Sequence, residues 1–411
     1  STSTHAQKHG IRFKRYSILD GLSQNSVNCI LQDRKGFMWF GTEDGLNRFD
    51  GYQFNIFRYN FNDSTTLSNN YVLCMMEDDS GRIWVGTQGG GLDRYDPSSE
   101  TFVRYMHSSS DSESVSSNII TTIYQDSKGR IWIGTDLGLN IYDTERDRFI
   151  KPMSGGDSGN SLKSDYITSI CEDDSGMIWI GTTNGLNCYD PETKNNRRYL
   201  HSSKDPASIC SNRITSLCID GLGSLWIGTD NGLDRMKNGR VVTHYRRRED
   251  GRGPSSDRIT LIYSSFNSSN VIWIGTADCG LNRLDIKKNS FIYYKSNPKN
   301  INSISNDEIR SLYSDRSGGM WVGTRNGLTR MDRSLKRFQT YRNKPNDSHS
   351  LSYNLVWSIY EDRIGYVWIG TFRGLNRFDP KTKRFKRYRH DPGDPFSISD
   401  DNVFTICEDR N

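Results

Sequence analysis

Asp173-Asp174-Ser175-Gly176-Met177-Ile178-Trp179-Ile180-Gly181-Thr182-Thr183-Asn184-Gly185-Leu186-Asn187-Cys188-Tyr189-Asp190 is the stretch whose reading decides the architecture. Its tryptophan recurs as Trp39, Trp84, Trp132, Trp226, Trp273, Trp321 and Trp368, at spacings of 45, 48, 47, 47, 47, 48 and 47 residues. A fixed period of this size marks stacked supersecondary units. Gly-Thr follows the indole in every repeat, from Gly41-Thr42 to Gly370-Thr371. Gly-Leu opens the next segment in every repeat, from Gly45-Leu46 to Gly374-Leu375. An Asp-x-x-Gly turn precedes the indole in all repeats but the sixth, where Ser265 to Asn270 stands instead.

Each repeat reads as four strands. Ile167 to Cys171 is a β-branched apolar run, strand A. The Asp/Gly turn leads to strand B, Met177 to Thr182, which is bulky on both faces and must be buried on both. Strand C is Leu186 to Asp190 and strand D is Arg197 to Leu200. One such meander cannot cover two apolar faces, but sheets fanned around an axis can. The fold class is therefore all-β: a β-propeller of four-stranded antiparallel blades. The glycines serve turn dihedrals and close blade packing.

The ends carry partial repeats. Arg12 to Tyr16 reads as an isolated strand D and Val403 to Asp409 as an isolated strand A. A propeller commonly borrows its outermost strand from the other terminus, which hides an edge. Residues 1–10 are then a flexible leader, 11–333 a seven-bladed ring closed by the N-terminal strand, and 334–411 the first blade and following strand of a second propeller. In that division Arg337 to Tyr341 is released to begin the second ring. A single eight-bladed ring is the alternative. One position near the start of strand A holds Asn28, Leu73, Thr121, Thr168, Thr215, Thr260 and Arg310, then Trp357 and Phe404 in the next two repeats. That shift in composition favours seven blades and a beginning.

The totals exclude little. With 54 Lys+Arg against 49 Asp+Glu the formal charge is +5 over 411 residues, too weak to argue for nucleic acid or an anionic membrane. No apolar run is long enough to span a bilayer. The eight cysteines show no framework or metal spacing; Cys29, Cys74, Cys171, Cys218 and Cys407 all fall in strand A, as small hydrophobes.

From strand A through Asp-x-x-Gly-x-x-Trp-x-Gly-Thr-x-x-Gly-Leu-x-x-Tyr/Phe-Asp, the block resembles the two-component-regulator propeller repeat. Leu22 to Val27, with Gly36 to Thr42 and Gly45 to Gly51, resembles the start of periplasmic sensor regions in hybrid two-component systems of gut Bacteroidetes. In that family two seven-bladed propellers precede a β-sandwich, a membrane helix, a histidine kinase and a DNA-binding regulator. The resemblance implies a non-enzymatic, periplasmic, ligand-sensing region, with a homodimer of the full sensor and an oligosaccharide from glycan breakdown as partners. It also implies membrane attachment only through a downstream helix, no contact with nucleic acid through this region, and no cofactor. A propeller lyase or glycosidase and a protein-interaction scaffold are the alternatives.

In a meander blade the B–C and D–A loops emerge on one face. The A–B and C–D turns are nearly constant here, and variation concentrates in the B–C loops. Loops on a rigid scaffold usually carry binding residues, so the candidates are Asp44, Gln88, Asp136, Asn184, Asn231, Asp278, Arg325, Asn326 and Arg373. Such side chains suit sugar hydroxyls, and the same types are ordinary turn formers. The D–A loops carry Ser-apolar-Ser-x-Asn patterns such as Ser208 to Asn212. Strand C carries Arg48, Arg94, Arg235, Arg283, Arg330 and Arg377; repetition at one strand position points to a repeated structural bond, expected to the A–B turn Asp. No histidine pair has metal spacing and no catalytic constellation is recognisable.

Overall fold

A computed structural model describes residues 12–152, 166–264, 270–300, 302–332 and 341–409. The leader at 1–10, most of the segment replacing the sixth A–B turn, and most of Arg337 to Tyr341 lie outside the described residues. Among the described residues, 32 strands form eight four-stranded antiparallel sheets. Two compact units result: Ser1–Leu335 holds seven sheets and Lys336–Asn411 the eighth.

The fourth blade shows how each sheet is built. Strands Ile167–Glu172, Ile178–Thr182, Gly185–Tyr189 and Asn196–Tyr199 pair in that order. Strand B is buried along its whole length, as its two apolar faces require. Asp173 organises the A–B turn: one carboxylate oxygen accepts from the N–H groups of Ser175 (2.9 Å) and Met177 (3.2 Å), and the other from the Trp179 indole (2.7 Å). The same indole–carboxylate bond, 2.7 or 2.8 Å long, joins Trp39 to Asp33, Trp84 to Asp78, Trp132 to Asp126, Trp226 to Asp220, Trp321 to Asp315 and Trp368 to Asp362.

Each framework indole of the first unit is a wedge into the next sheet. Trp39 packs with Val72 and Val85, Trp84 with Ile120 and Ile133, and Trp132 with Ile167 and Ile180. Trp179 meets Ile214 and Ile227, Trp226 meets Ile259 and Ile274, and Trp273 meets Ile309 and Val322. Trp321 of the seventh sheet packs with Val27 and Phe40 of the first, which closes the ring at seven. The glycine two residues after each indole sets the spacing. A Cβ on Gly41 would lie 2.6 Å from Val72 Cγ1, and one on Gly181 would lie 2.7 Å from Ile214 Cγ2. On Gly323 it would lie 2.8 Å from the Val27 carbonyl oxygen. These glycines are required by close approach, not by backbone dihedrals.

The seventh sheet takes its outer strand from the N-terminus. Arg12–Tyr16 pairs antiparallel with Gly327–Asp332, Phe13 opposite Met331. Tyr16 stacks on Trp321 at 5.5 Å between ring centroids and meets Phe49 of the first sheet edge-on. In the second unit, Val356–Glu361, Val367–Thr371, Gly374–Asp379 and Arg384–Tyr388 repeat the meander. Val403 to Asp409 forms no ladder. Strand A pairs with the strand B that follows it in every blade, and no strand follows within the described residues.

The third residue of strand C is buried, and its usual occupant is Asn, as at Asn47, Asn140 and Asn376. The second and fifth blades place Asp93 and Asp234 there, both fully buried. Asp234 is answered by His244, whose Nδ1 lies 2.6 Å from its Oδ1. Asp93 accepts from the backbone N–H (3.1 Å) and hydroxyl (2.7 Å) of Ser68, but its Oδ1 has no hydrogen-bond partner. Burial pushes the Asp93 carboxyl up to about 7.

Trp179→Ala is expected to lower stability by about 3–5 kcal/mol, read as a lower urea midpoint at unchanged slope. The folded state binds a proton at Asp93 that the unfolded chain has released above about pH 4, so this group's contribution declines as pH rises through 4 to 7. Asp93→Asn should remove that decline. Its urea midpoint should exceed the parent's at pH 8, by an amount worth about 2–4 kcal/mol, with a smaller difference at pH 4.5.

Candidate functional site

In every blade the A–B ladder slips between the first and third residues of strand A, as between Val27 and Cys29 or Ile167 and Ser169. A bulge of this kind re-aims the extra residue. At that second position stand Asn28, Leu73, Thr260 and Arg310, and all four line one cavity of about 500 Å³ in the first unit. Tyr71, Arg258 and Glu308, from loops that enter strand A, and Ala277 and Arg325, from B–C loops, complete the wall. Residues of both loop classes thus meet on one face of the ring, at the mouth of its axis.

Arg310 dominates one side. It donates from Nη1 to Ser26 Oγ (2.6 Å), Asn28 Oδ1 (2.9 Å) and Glu43 Oε1 (2.7 Å), all in the first blade or its entry loop, and pairs with Glu308 at 3.1 Å. Tyr71 donates its hydroxyl to Glu43 at 3.2 Å. Burial opposes ionisation of Glu43, but hydrogen bonds from Arg310, Ser26 and Tyr71 hold its carboxyl below the ordinary value. Arg325 reaches Glu308 at 3.3 Å and Arg258 faces Asp278 at 3.7 Å, both arginines remaining mostly exposed. On the same register in three other blades, the Thr121, Thr168 and Thr215 hydroxyls are buried with no partner among the described residues. The wall itself offers the paired but accessible guanidinium groups of Arg258 and Arg325 and the Tyr71 ring.

The nine candidate residues scatter around this frame. Arg325 lines the cavity, and Asp278 borders it through Arg258. Asp44 is paired with Arg58 (2.9 Å), the Asn184 carbonyl accepts from Arg198 (2.6 Å), and Asn231 accepts from Arg246. Gln88 donates its N–H to the Tyr71 carbonyl (2.9 Å), and Asn326 accepts from Asn25 (3.2 Å). Asp136 keeps a buried oxygen without a partner near Tyr166, whose hydroxyl pKa is raised by burial and then by that carboxylate. Arg373, in the second unit, stacks over Tyr353 at 5.2 Å. The bulge column, including Arg310, was visible in the sequence as one variable position, but nothing in the sequence marked it as lining a cavity.

Two repeated polar patterns prove to be framework. In the D–A loop before the fifth blade, Asn212 accepts from His201 N–H (2.6 Å) and its carbonyl from Gly185 N–H (2.7 Å), both of the fourth blade. Cys210 N–H, two residues earlier, donates to Asp234 of the fifth blade (2.7 Å). Such loops staple adjacent blades, and His107, His201 and His390 cap them through Nδ1 to the carbonyls of Val115, Ile209 and Ile398. The strand C arginines also differ from expectation. Only Arg235 and Arg330 approach the A–B turn aspartate, at 3.8 and 3.2 Å, whereas Arg48 reaches Glu100 and Arg94 reaches Tyr142. What they share with Arg377 is a guanidinium 5.5–6.0 Å from the indole of their own blade, a cation–π contact.

Cys210, Asp234 and His244 present ligand atoms within 4.8 Å of one another. The donors are already engaged. His244 directs Nδ1 to Asp234 and Nε2 to the Pro206 carbonyl (2.8 Å). Burial opposes its charge, but the Pro206 carbonyl and Asp234 outweigh it and raise its pKa. Burial pushes the Cys210 thiol up to about 12. A thiol held protonated and a doubly donating imidazole make a structural network.

The sequence matches the two component regulator propeller family over residues 21–44, 66–89, 114–136, 161–184, 208–231, 303–326 and 350–373. These are two-component regulator propeller repeats. The chain is 26% identical, with a TM-score of 0.67, to the extracellular domain of a protein described as a hybrid two-component system of B. thetaiotaomicron, covering 92% of this chain and 49% of that one. A 65-residue segment, 16% of the chain, is 51% identical to 5% of histidine kinase P4 of Formosa agariphila. The chain thus spans about half of the first relative and a small part of the second. Virginiamycin B lyase of Staphylococcus aureus shares the fold alone, at 13% identity over 78% of this chain and 99% of the lyase, TM-score 0.56. Among the described residues no helix is long and apolar enough to cross a membrane.

Arg310 joins the last blade of the ring to the first. Arg310→Met should destabilise the first unit by about 1–3 kcal/mol at neutral pH. Because the Glu43 carboxyl is depressed, the penalty should shrink as pH falls below about 4; denaturant midpoints at pH 7 and pH 3.5 would show it.

Proposed function

We propose that this chain is the extracytoplasmic ligand-sensing region of a hybrid two-component sensor, non-enzymatic in itself, located in the periplasm and detecting oligosaccharides from glycan breakdown. The cavity at the mouth of the first ring carries the proposal. It is concave, of a size for one or two sugar residues, and walled by Tyr71, Asn28, Thr260, Arg258 and Arg325. Sites for small polar ligands combine an apolar or aromatic wall with a few convergent polar groups. The repeat family and the 26% identical extracellular domain of a hybrid two-component system of B. thetaiotaomicron support this reading. Binding would favour one of two arrangements of a dimeric full-length sensor and so shift its signalling equilibrium.

Calorimetric titration of the chain with neutral and uronic-acid oligosaccharides tests the proposal. At least one class should bind, and Arg325→Ala should weaken that binding about tenfold or more without moving the urea midpoint. Absence of binding to every sugar, or turnover of a glycan by the purified chain, would overturn it.

A further inference from the structure

The charges at the mouth of the first ring are unevenly spent. The cavity wall holds three arginines and one carboxylate, Glu308. Arg310 is committed: it donates to Ser26, Asn28 and Glu43, pairs with Glu308, and is only 23% exposed. The carboxylates it meets are committed in return, since Glu43 also accepts from Ser26 and Tyr71, and Glu308 also faces Arg325. Arg258 and Arg325 differ. They are 67% and 68% exposed, and each has one carboxylate contact, to Asp278 at 3.7 Å and to Glu308 at 3.3 Å. Among the described residues neither guanidinium has a further partner. Exposed pairs of this length contribute little, and a guanidinium that makes one long contact leaves most of its fork of N–H donors unused.

The backbone beneath these two side chains is held. Ala277 donates its N–H to the Arg258 carbonyl (3.0 Å) and Arg325 donates its N–H to the Glu308 carbonyl (3.1 Å), the same clip that joins Gln88 to Tyr71 (2.9 Å). Each clip ties a B–C loop to the entry of strand A in its own blade. Arg258 and Arg325 therefore rise from fixed positions on the rims of neighbouring blades, the sixth and the seventh. At the first position of the B–C loop the first blade carries Glu43 and the seventh Arg325, whereas the sixth carries Ala277, so no carboxylate stands there to meet Arg258. Glu308, itself held by Arg310, fixes Arg325 through Nη1 and leaves the rest of that fork to a ligand.

We propose that Arg258 and Arg325 are the anion-recognising pair of this cavity, and that its ligand is an acidic saccharide whose carboxylate or sulfate they bind. This rests on the sensing function proposed above and adds the charge of the ligand. Guanidinium–oxyanion hydrogen bonds are shorter and roughly twice as strong as neutral ones, and two parallel bonds to one oxyanion fix its orientation. A neutral sugar offers the same forks only hydroxyl oxygens and gains no such preference. The preorganised rim lets the ligand be held without ordering the loops that carry the donors.

The test is titration calorimetry of the 411-residue chain with probes that separate charge from shape. The trimers of galacturonic, glucuronic and mannuronic acid are each set against their methyl esters, and galactose 6-sulfate against galactose. At least one charged probe should bind about tenfold or more tighter than its neutral counterpart, and which pair shows the difference tells carboxylate from sulfate. Arg258→Gln and Arg325→Gln should each remove most of that difference at an unchanged urea midpoint. Arg258→Lys should restore only part of what Arg258→Gln loses, because it keeps the charge without the fork. Lys35→Gln, which removes an exposed charge from an A–B turn on the other face, should leave the difference intact. A neutral counterpart that binds as tightly as its acid, or a difference that survives in both Gln variants, would overturn the pair and leave the sensing function standing. Tricarballylate bound as tightly as the acid trimers would overturn the saccharide, and with it the sugar form of the sensing function. Binding of no probe overturns the pair, while binding of any other neutral oligosaccharide would still uphold the sensing function.

Discussion

The constraint beneath this structure is the indole bonded to the A–B turn aspartate. A strand with bulky apolar groups on both faces needs a sheet on either side, and an indole carried into that interface takes along an N–H that must find an acceptor. Asp173 and its counterparts supply it with one carboxylate oxygen while the other fixes the turn through backbone N–H groups. Turn, wedge and glycine spacing are thereby set by a few residues, and repeating them repeats the blade. The guanidinium of strand C lies over the same indole in five blades, covering its outer side.

The buried third position of strand C shows how closely polar groups are balanced against the same interior. An amide there can both donate and accept, as Asn47 does with Ser23 and the Phe40 carbonyl. A carboxylate can only accept. Asp234 meets that loss with His244, placed opposite on strand D, whose other nitrogen is held by Pro206. Asp93 has no such neighbour at Oδ1 and retains its proton to a higher pH instead. One substitution has two resolutions, and a histidine ten residues along the chain decides which.

The periodic part of this architecture was legible because it is local. The strands fall within one or two residues of where spacing and turn residues put them, and the fold class follows from the indole repeat. Function within the polar loops was harder to read. Ser and Asn in the D–A loops looked like display residues, yet Asn212 and the Cys210 backbone are used up in joining blades. The strand C arginines were legible as structural, but their shared partner is the indole face, which a sequence pattern of charges does not reveal. The cavity was illegible for a different reason. Arg310 and Glu43 are 267 residues apart, and Arg310 and Ser26 are 284 apart. Only closure of the ring makes them neighbours.

The bulge column is where such a fold can afford chemistry. Most other positions in strands A, B and C are committed to neighbours: the first residue of strand A to the glycine of the preceding blade, the fourth to the interblade core, and strand B to both faces. The second residue of strand A, displaced by the ladder slip, is spared those roles, and in four blades of the ring it lines the cavity. It can therefore change without loss of the frame, and it does: Asn28, Leu73, four threonines in succession from Thr121 to Thr260, Arg310 and then Trp357. In the first unit that freedom yields a polar wall tied across the seam of the ring. In the second unit the column holds Trp357 on the same four-stranded meander. A position that varies while the frame around it repeats is what a scaffold that separates folding from recognition should show.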